Sequence, residues 1–214
     1  MAIVDEHQPS RFHDILSPYL PVNAVDAIVA YINKYSIWLK ITRERRSKLG
    51  DYRHPSPSNP HHAISINGNI NRYEFLLVML HELAHLENYL RYGSSVKAHG
   101  TEWQQCYASL ISNFLGHRCF PPDAEIMLET YIAHIPLSKD LDNKIYLTLH
   151  RYNFAPGDTP LILDDLNPGT RFKLVARPHL VFINIEKRRT RWRCMEPATG
   201  RIYTIHGCAE VIKL

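Results

Sequence analysis

Apolar residues recur at helical spacing over residues 21–36, where Val25, Ile28, Val29 and Ile32 share one side of a helix. Residues 1–17 before it are polar and are expected to be loose at the start. Ile37 to Ile41 suits a strand and is followed by the cations Arg43, Arg45, Arg46 and Lys48. A loop with three prolines, residues 55–60, separates it from a second strand, Ala63 to Asn67. There Ile64 and Ile66 face one way and Ser65 the other. Asn71-Arg72-Tyr73-Glu74 has the form of a capping box and opens a long apolar run, Tyr73 to Leu90. That run is a helix, largely buried because residues 75–80 are nearly all apolar. Thr101-Glu102-Trp103-Gln104 reads as a second capping box, opening a helix to Leu115 with Trp103, Tyr107, Leu110, Ile111 and Phe114 on one side. A third helix runs from Pro122 to Ile135.

Beyond a boundary at 136–142 the pattern shortens. Lys144–Arg151, Arg171–Val175, Leu180–Glu186, Thr190–Met195, Arg201–His206 and Ala209–Lys213 are strand-like runs separated by turn residues. They predict a small antiparallel barrel or sandwich. The chain as a whole reads as α+β, with a helical extension over 1–36, a central domain over 37–136 and a basic β domain over 137–214.

The chemistry concentrates in His81-Glu82-Leu83-Ala84-His85, inside the long helix. Residues four apart share a helix face, so both imidazoles can reach one ion, and Glu82 stands where a carboxylate can hold the attacking water. A catalytic zinc takes three protein ligands and leaves one position open. Asn88 and Arg91 occupy the places where Gly and His would mark a metzincin, which excludes that subclass. Two candidates remain for the third ligand, His99 and Glu102. His99 is favoured, because Gly100 can turn it back at a helix entry, whereas an acid in a first turn has a role in complementing the helix dipole.

His81-Glu82-x-x-His85 followed by His99-Gly100-x-x-Trp103 resembles the SprT-like metallopeptidases, the family that includes the DNA–protein crosslink protease Spartan. Upstream, Thr42-Arg43, Arg45-Arg46 and Lys48-Leu49-Gly50-Asp51-Tyr52-Arg53 resemble that family's basic strand pair. The likeness covers residues 37–116. It implies a zincin-like domain with an active-site helix and a small sheet. It also implies one catalytic zinc on His81, His85 and His99, Glu82 as acid/base, and a protein substrate, DNA-associated in the family's manner. SprT-like chains often end in a zinc ribbon of two Cys-x-x-Cys pairs. Cys106, Cys119, Cys194 and Cys208 contain no such pair, so the tail is expected to rely on an apolar core.

Charge adds a second theme. The net charge is +4, but from Lys139 onward Lys and Arg outnumber Asp and Glu by 13 to 8, against 12 to 13 before it. Lys187 to Arg193 holds five of those cations beside Trp192. Read as one strand, it puts Arg189, Arg191 and Arg193 on one face and Arg188 and Trp192 on the other, a pattern suited to phosphate contact and base stacking. A solvated strand edge is the plainer account. A nucleic-acid-binding protein with a structural or weakly active zinc is therefore the alternative function. The strand at Ala63–Asn67 is expected to hold an extended substrate beside the metal helix. Four scattered cysteines, no signal-like start and no apolar run long enough to span a bilayer lead to the expectation of a cytoplasmic protein without membrane contact. Nothing in the sequence sets the oligomeric state.

Overall fold

The computed structural model describes residues 9–45, 48–134, 139–155, 158–188 and 190–214. The chain is α+β and divides at Asn153/Phe154 into two compact units.

The first unit contains six helices and a three-stranded sheet: α1 (Pro9–Leu16), α2 (Val25–Lys34), β1 (Trp38–Thr42), β2 (Gly50–Arg53), β3 (Ala63–Asn67), α3 (Arg72–Tyr92), α4 (Thr101–Ser112), α5 (Pro122–Ala133) and α6 (Lys139–His150). α1 was not anticipated; the start of the chain, expected to be loose, lies outside the described residues. Phe12 and Leu16, four apart, are buried in the same core as Ile28 and Ile32 of α2. The helix over 21–36 packs on the core of the central domain, as its apolar face leads one to expect, and α1 joins it there.

β3 is the central strand, parallel to β1 and antiparallel to β2. This corrects the expectation that Ala63–Asn67 is free to bind substrate: both of its edges are taken. Ile64 and Ile66 on its inner face are 1% and 0% exposed and pack against α3. The strand left at the edge beside α3 is β2.

α3 opens as its sequence requires. The Asn71 side chain accepts from the Tyr73 and Glu74 N–H groups at 3.0 Å each, and Glu74 Oε2 accepts the Asn71 N–H at 3.2 Å. Asn71 Nδ2 also donates to the Leu149 carbonyl at 2.8 Å, tying this terminus to the end of α6. Asn71→Ala removes both functions and is expected to cost about 1–2 kcal/mol. Urea unfolding followed by circular dichroism measures it. The second capping box is absent: Gly100 is the N-cap of α4, with no side-chain bond, and Thr101 is already helical.

Of Lys144–Arg151, read as a strand, residues up to His150 form the larger part of α6 and Arg151 begins the 3-10 turn after it. Ile145 and Leu149 are buried four residues apart, and Leu141, one turn earlier, packs on the same core. The alternation of Ile145, Leu147 and Leu149 imitates a strand only when Leu141 is left out of the window. With α6 the boundary moves from 136/137 to 153/154.

The second unit is one open antiparallel sheet, in the order β4 (Leu161–Ile162), β9 (Glu210–Lys213), β5 (Arg171–Leu174), β6 (Arg177–Lys187), β7 (Arg191–Met195), β8 (Ile202–His206). Among the described residues it forms neither barrel nor sandwich. One face carries the core of Leu163, Leu166, Phe172, Phe182, Trp192, Cys194 and Val211. Burial of Cys194 pushes its thiol up to about 11. No helix among the described residues is long and apolar enough to cross a membrane.

Candidate metal centre

Helical spacing sets His81 over His85 on α3, with ring centroids 5.0 Å apart. The third imidazole comes from the loop that leads into α4. Gly100 N–H closes a turn on the Lys97 carbonyl at 2.9 Å, and Gln104 Nε2 donates to the His99 carbonyl at 3.2 Å. His99 itself sits at φ 114°, a backbone region that side chains other than hydrogen disfavour. Such strain is held in place at functional positions. Here it turns the ring onto α3: His99 Nε2 lies 3.1 Å from His81 Nε2, and its centroid is 4.8 Å from that of His85.

One nitrogen from each of the three histidines falls within a 4.8 Å set, the one such group of potential metal ligands among the described residues. Four-coordinate zinc at roughly 2.0–2.1 Å from each nitrogen sets its ligand atoms about 3.3 Å apart. The His81–His99 separation fits that spacing. Burial, reinforced by the neighbouring imidazoles, lowers His81 to about 3 and His85 to about 4. The same causes keep both rings in the neutral form that ligates a metal. Burial lowers His99 as well. Glu102 is not part of the group.

Trp103 supports the three rings, its own ring 4.6 Å from His81, 5.3 Å from His85 and 4.6 Å from His99. It is 4% exposed, and its indole N–H is buried without a hydrogen-bond partner. Tyr107, one turn on, stacks against Trp103 and meets the edge of His81 at 5.5 Å. The apolar side of α4 is therefore the floor of the site.

Glu82 is 5% exposed. Burial raises its carboxyl to about 7 and the charge of Asp51 adds to the rise, while Arg45, Lys48 and the Tyr52 backbone N–H hold it down. All four of those groups belong to β2 or the loop before it. Gly50 of β2 lies against the same carboxylate, so that a Cβ there would fall on Glu82 Oε1 and 2.7 Å from Val78 Cγ1. The Tyr52 ring lies parallel to His85, and its hydroxyl bonds His62 Nδ1 at 2.8 Å.

The sequence reading missed Gly50, Asp51 and Tyr52 as site residues. Their pattern was visible, since Gly50 and Tyr52 alternate onto one face of a strand, but nothing local shows which helix that face meets. It also missed Asp142 of α6, whose charge reaches His99 and which hydrogen-bonds Tyr131. That residue lay in a segment read as an interdomain boundary.

The basic run of the tail differs from its expected form. Lys187 ends β6 and Arg191 begins β7, so the run bends around a hairpin and Arg188 is not on a strand with Arg191. Trp192 is 4% exposed and faces the β core, where its Nε1 donates to Asp164 Oδ1 at 2.7 Å. It is no stacking platform. Lys187 pairs with Asp164 at 2.9 Å and Arg193 with Glu186 at 3.3 Å, while Arg188 and Arg191 are exposed. Arg189 lies outside the described residues, as does Arg46 of the upstream run.

No family model matches the chain, and no curated protein or solved structure matches it.

Proposed function

We propose that this chain is a zinc-dependent endopeptidase of the zincin-like, SprT-like kind. The observation that carries the reading is the convergence of His81, His85 and His99 beside a buried Glu82. A structural zinc has no use for a carboxylate kept dry next to it, which favours catalysis over the alternative of a nucleic-acid-binding protein with an inert metal.

His81, His85 and His99 would hold the ion. Zinc bound there supplies a Lewis acid and lowers the pKa of bound water to about 7. The chain's own residues do the rest. The substrate backbone pairs with the free edge of β2, so that affinity comes from peptide groups and little sequence preference results. Glu82 takes a proton from the attacking water as the C–O bond forms. It then delivers that proton to the amide nitrogen as the C–N bond breaks. The Tyr52 N–H fixes the carboxylate for both transfers. Substrates are proteins, with DNA-attached proteins the class that the resemblance implies.

Casein incubated with zinc-loaded protein tests the reading. Cleavage should stop on chelation with EDTA and return with added zinc; full activity in the chelated sample would overturn it. Gly50 offers a second test. Gly50→Ala puts a methyl where the Glu82 carboxylate sits, and a displacement of this size is expected to lower turnover about 100-fold with zinc content unchanged.

A further inference from the structure

Trp38, Lys40, Thr42, Asp51, Arg53 and Ser65 alternate onto the face of the three-stranded sheet opposite the Ile64 and Ile66 side that packs on α3. A cavity of about 450 Å³ lies there, lined by Trp38, Lys40, Thr42, Arg45, Asp51, Arg53 and Ser65 among others. Its size falls within the roughly 300–1,000 Å³ of small-molecule sites.

Three features give it a chemical character. Trp38 is 44% exposed, against 4% for each of Trp103 and Trp192. Its indole is stacked on His61, with centroids 4.3 Å apart and planes within 19°, so the ring is held at a fixed angle while part of it stays in solvent. Arg45 is the second feature. Its Nε donates to Asn67 Oδ1 at 2.8 Å, Nη1 to Ser65 Oγ at 2.9 Å, and Nη2 to the Ser65 and Leu49 carbonyls. Buried Asn67 in turn donates to the carbonyls of Arg45 and Lys48. The guanidinium is therefore immobilised entirely by neutral acceptors. Among the described residues no carboxylate forms an ion pair with Arg45 or with exposed Lys40. The third feature is the treatment of the one acid in the lining. Asp51 is held by Lys48 at 2.6 Å and by Arg53 at 3.0 Å, so its charge is more than offset.

A fixed aromatic ring beside an immobilised cation that has no ion-pair partner among the described residues, and a second, exposed cation, suits a ligand that is flat at one end and anionic at the other. We infer that this cavity binds a nucleoside phosphate, its base on Trp38 and its phosphate between Arg45 and Lys40. Pre-fixing Arg45 removes much of the ordering cost that a surface arginine meets on binding. The tail, by contrast, offers cations whose neighbouring tryptophan is buried. The same chemistry can arrive as a free mononucleotide or as one unit of a single strand. The inference does not rest on the metal centre.

Trp38 supplies the readout, because it is the tryptophan that solvent and ligand reach. Full-length protein titrated with adenosine monophosphate at low salt should show saturable fluorescence quenching. Adenosine alone and inorganic phosphate alone should each bind at least about tenfold more weakly. Arg45→Gln and Lys40→Glu should weaken the quenching by a similar factor. Lys40 is exposed, so its variant tests the site even if loss of Arg45 unsettles the loop. Glu82→Gln should bind as the parent does, which separates this result from any failure of the peptidase reading. Quenching by oligothymidylate but not by the mononucleotide, still dependent on Lys40, assigns the site to a strand. Absence of quenching by either probe, or quenching indifferent to both substitutions, overturns the inference.

Discussion

Glu82→Gln is expected to leave a folded protein that takes up one zinc and cleaves casein at least about 1,000-fold more slowly than the parent. The amide has nearly the shape of the carboxylate, so the packing around a residue 5% exposed is preserved. The Tyr52 N–H can still find the amide oxygen. What is lost is the ability to accept a proton, and general acid–base catalysis is worth roughly 10²–10⁴. Because Glu82 serves twice in the proposed cycle, the upper part of that range applies. Zinc content by atomic absorption and initial rates on labelled casein decide the matter together. A variant that keeps both metal and rate would leave the peptidase reading without its base; one that loses the metal would show that Glu82 holds the site together and does not act in it.

The centre was legible in the sequence because it is local. Two of the candidate ligands and the carboxylate lie within five residues of one helix, and helix geometry fixes their relation with no knowledge of the fold. His99 was recoverable from a turn signal, the following glycine. Residues that come from across the sheet were not recoverable in the same way. Gly50, Asp51 and Tyr52 meet Glu82 only because β3 pairs with β1 on one side and β2 on the other, and strand order is not written in any one strand. The misreading of Ala63–Asn67 as a free strand has that origin.

The errors in the tail have a different cause. Trp192 among arginines looks like a binding surface when composition alone is considered. Strand alternation makes the opposite statement, since Arg191, Trp192 and Arg193 must point to alternating faces, and a small sheet with one apolar side has every reason to bury its tryptophan. The strand-like runs Leu180–Glu186 and Thr190–Met195 already leave a break at 187–189, and treating residues 187–193 as one strand is inconsistent with that break. α6 shows the same ambiguity between periods of 2 and 3.6 that short apolar runs always carry.

His99 permits an experiment in which stability and function move in opposite directions. Alanine at 81, 85 or 99 should each lower zinc affinity by more than about 100-fold, beyond what loss of a residue merely supporting a ligand produces, and should bring casein cleavage to background. Glu102→Gln should do neither, because that side chain is outside the ligand group. Glycine at 99 goes further. The φ of 114° costs a histidine of order 1–3 kcal/mol, and glycine adopts it freely. Glycine also gives up some of that gain to its more flexible unfolded chain. The zinc-free His99→Gly protein is therefore expected to melt slightly above the zinc-free parent while failing to bind the metal. In the presence of zinc the order should reverse, since only the parent gains stability from a ligand that prefers the folded state. If His99→Gly instead binds zinc as the parent does, the third ligand lies elsewhere. If the zinc-free variant melts well below the zinc-free parent, the strained conformation is maintained by packing of the His99 ring and not imposed on it for the sake of the ion.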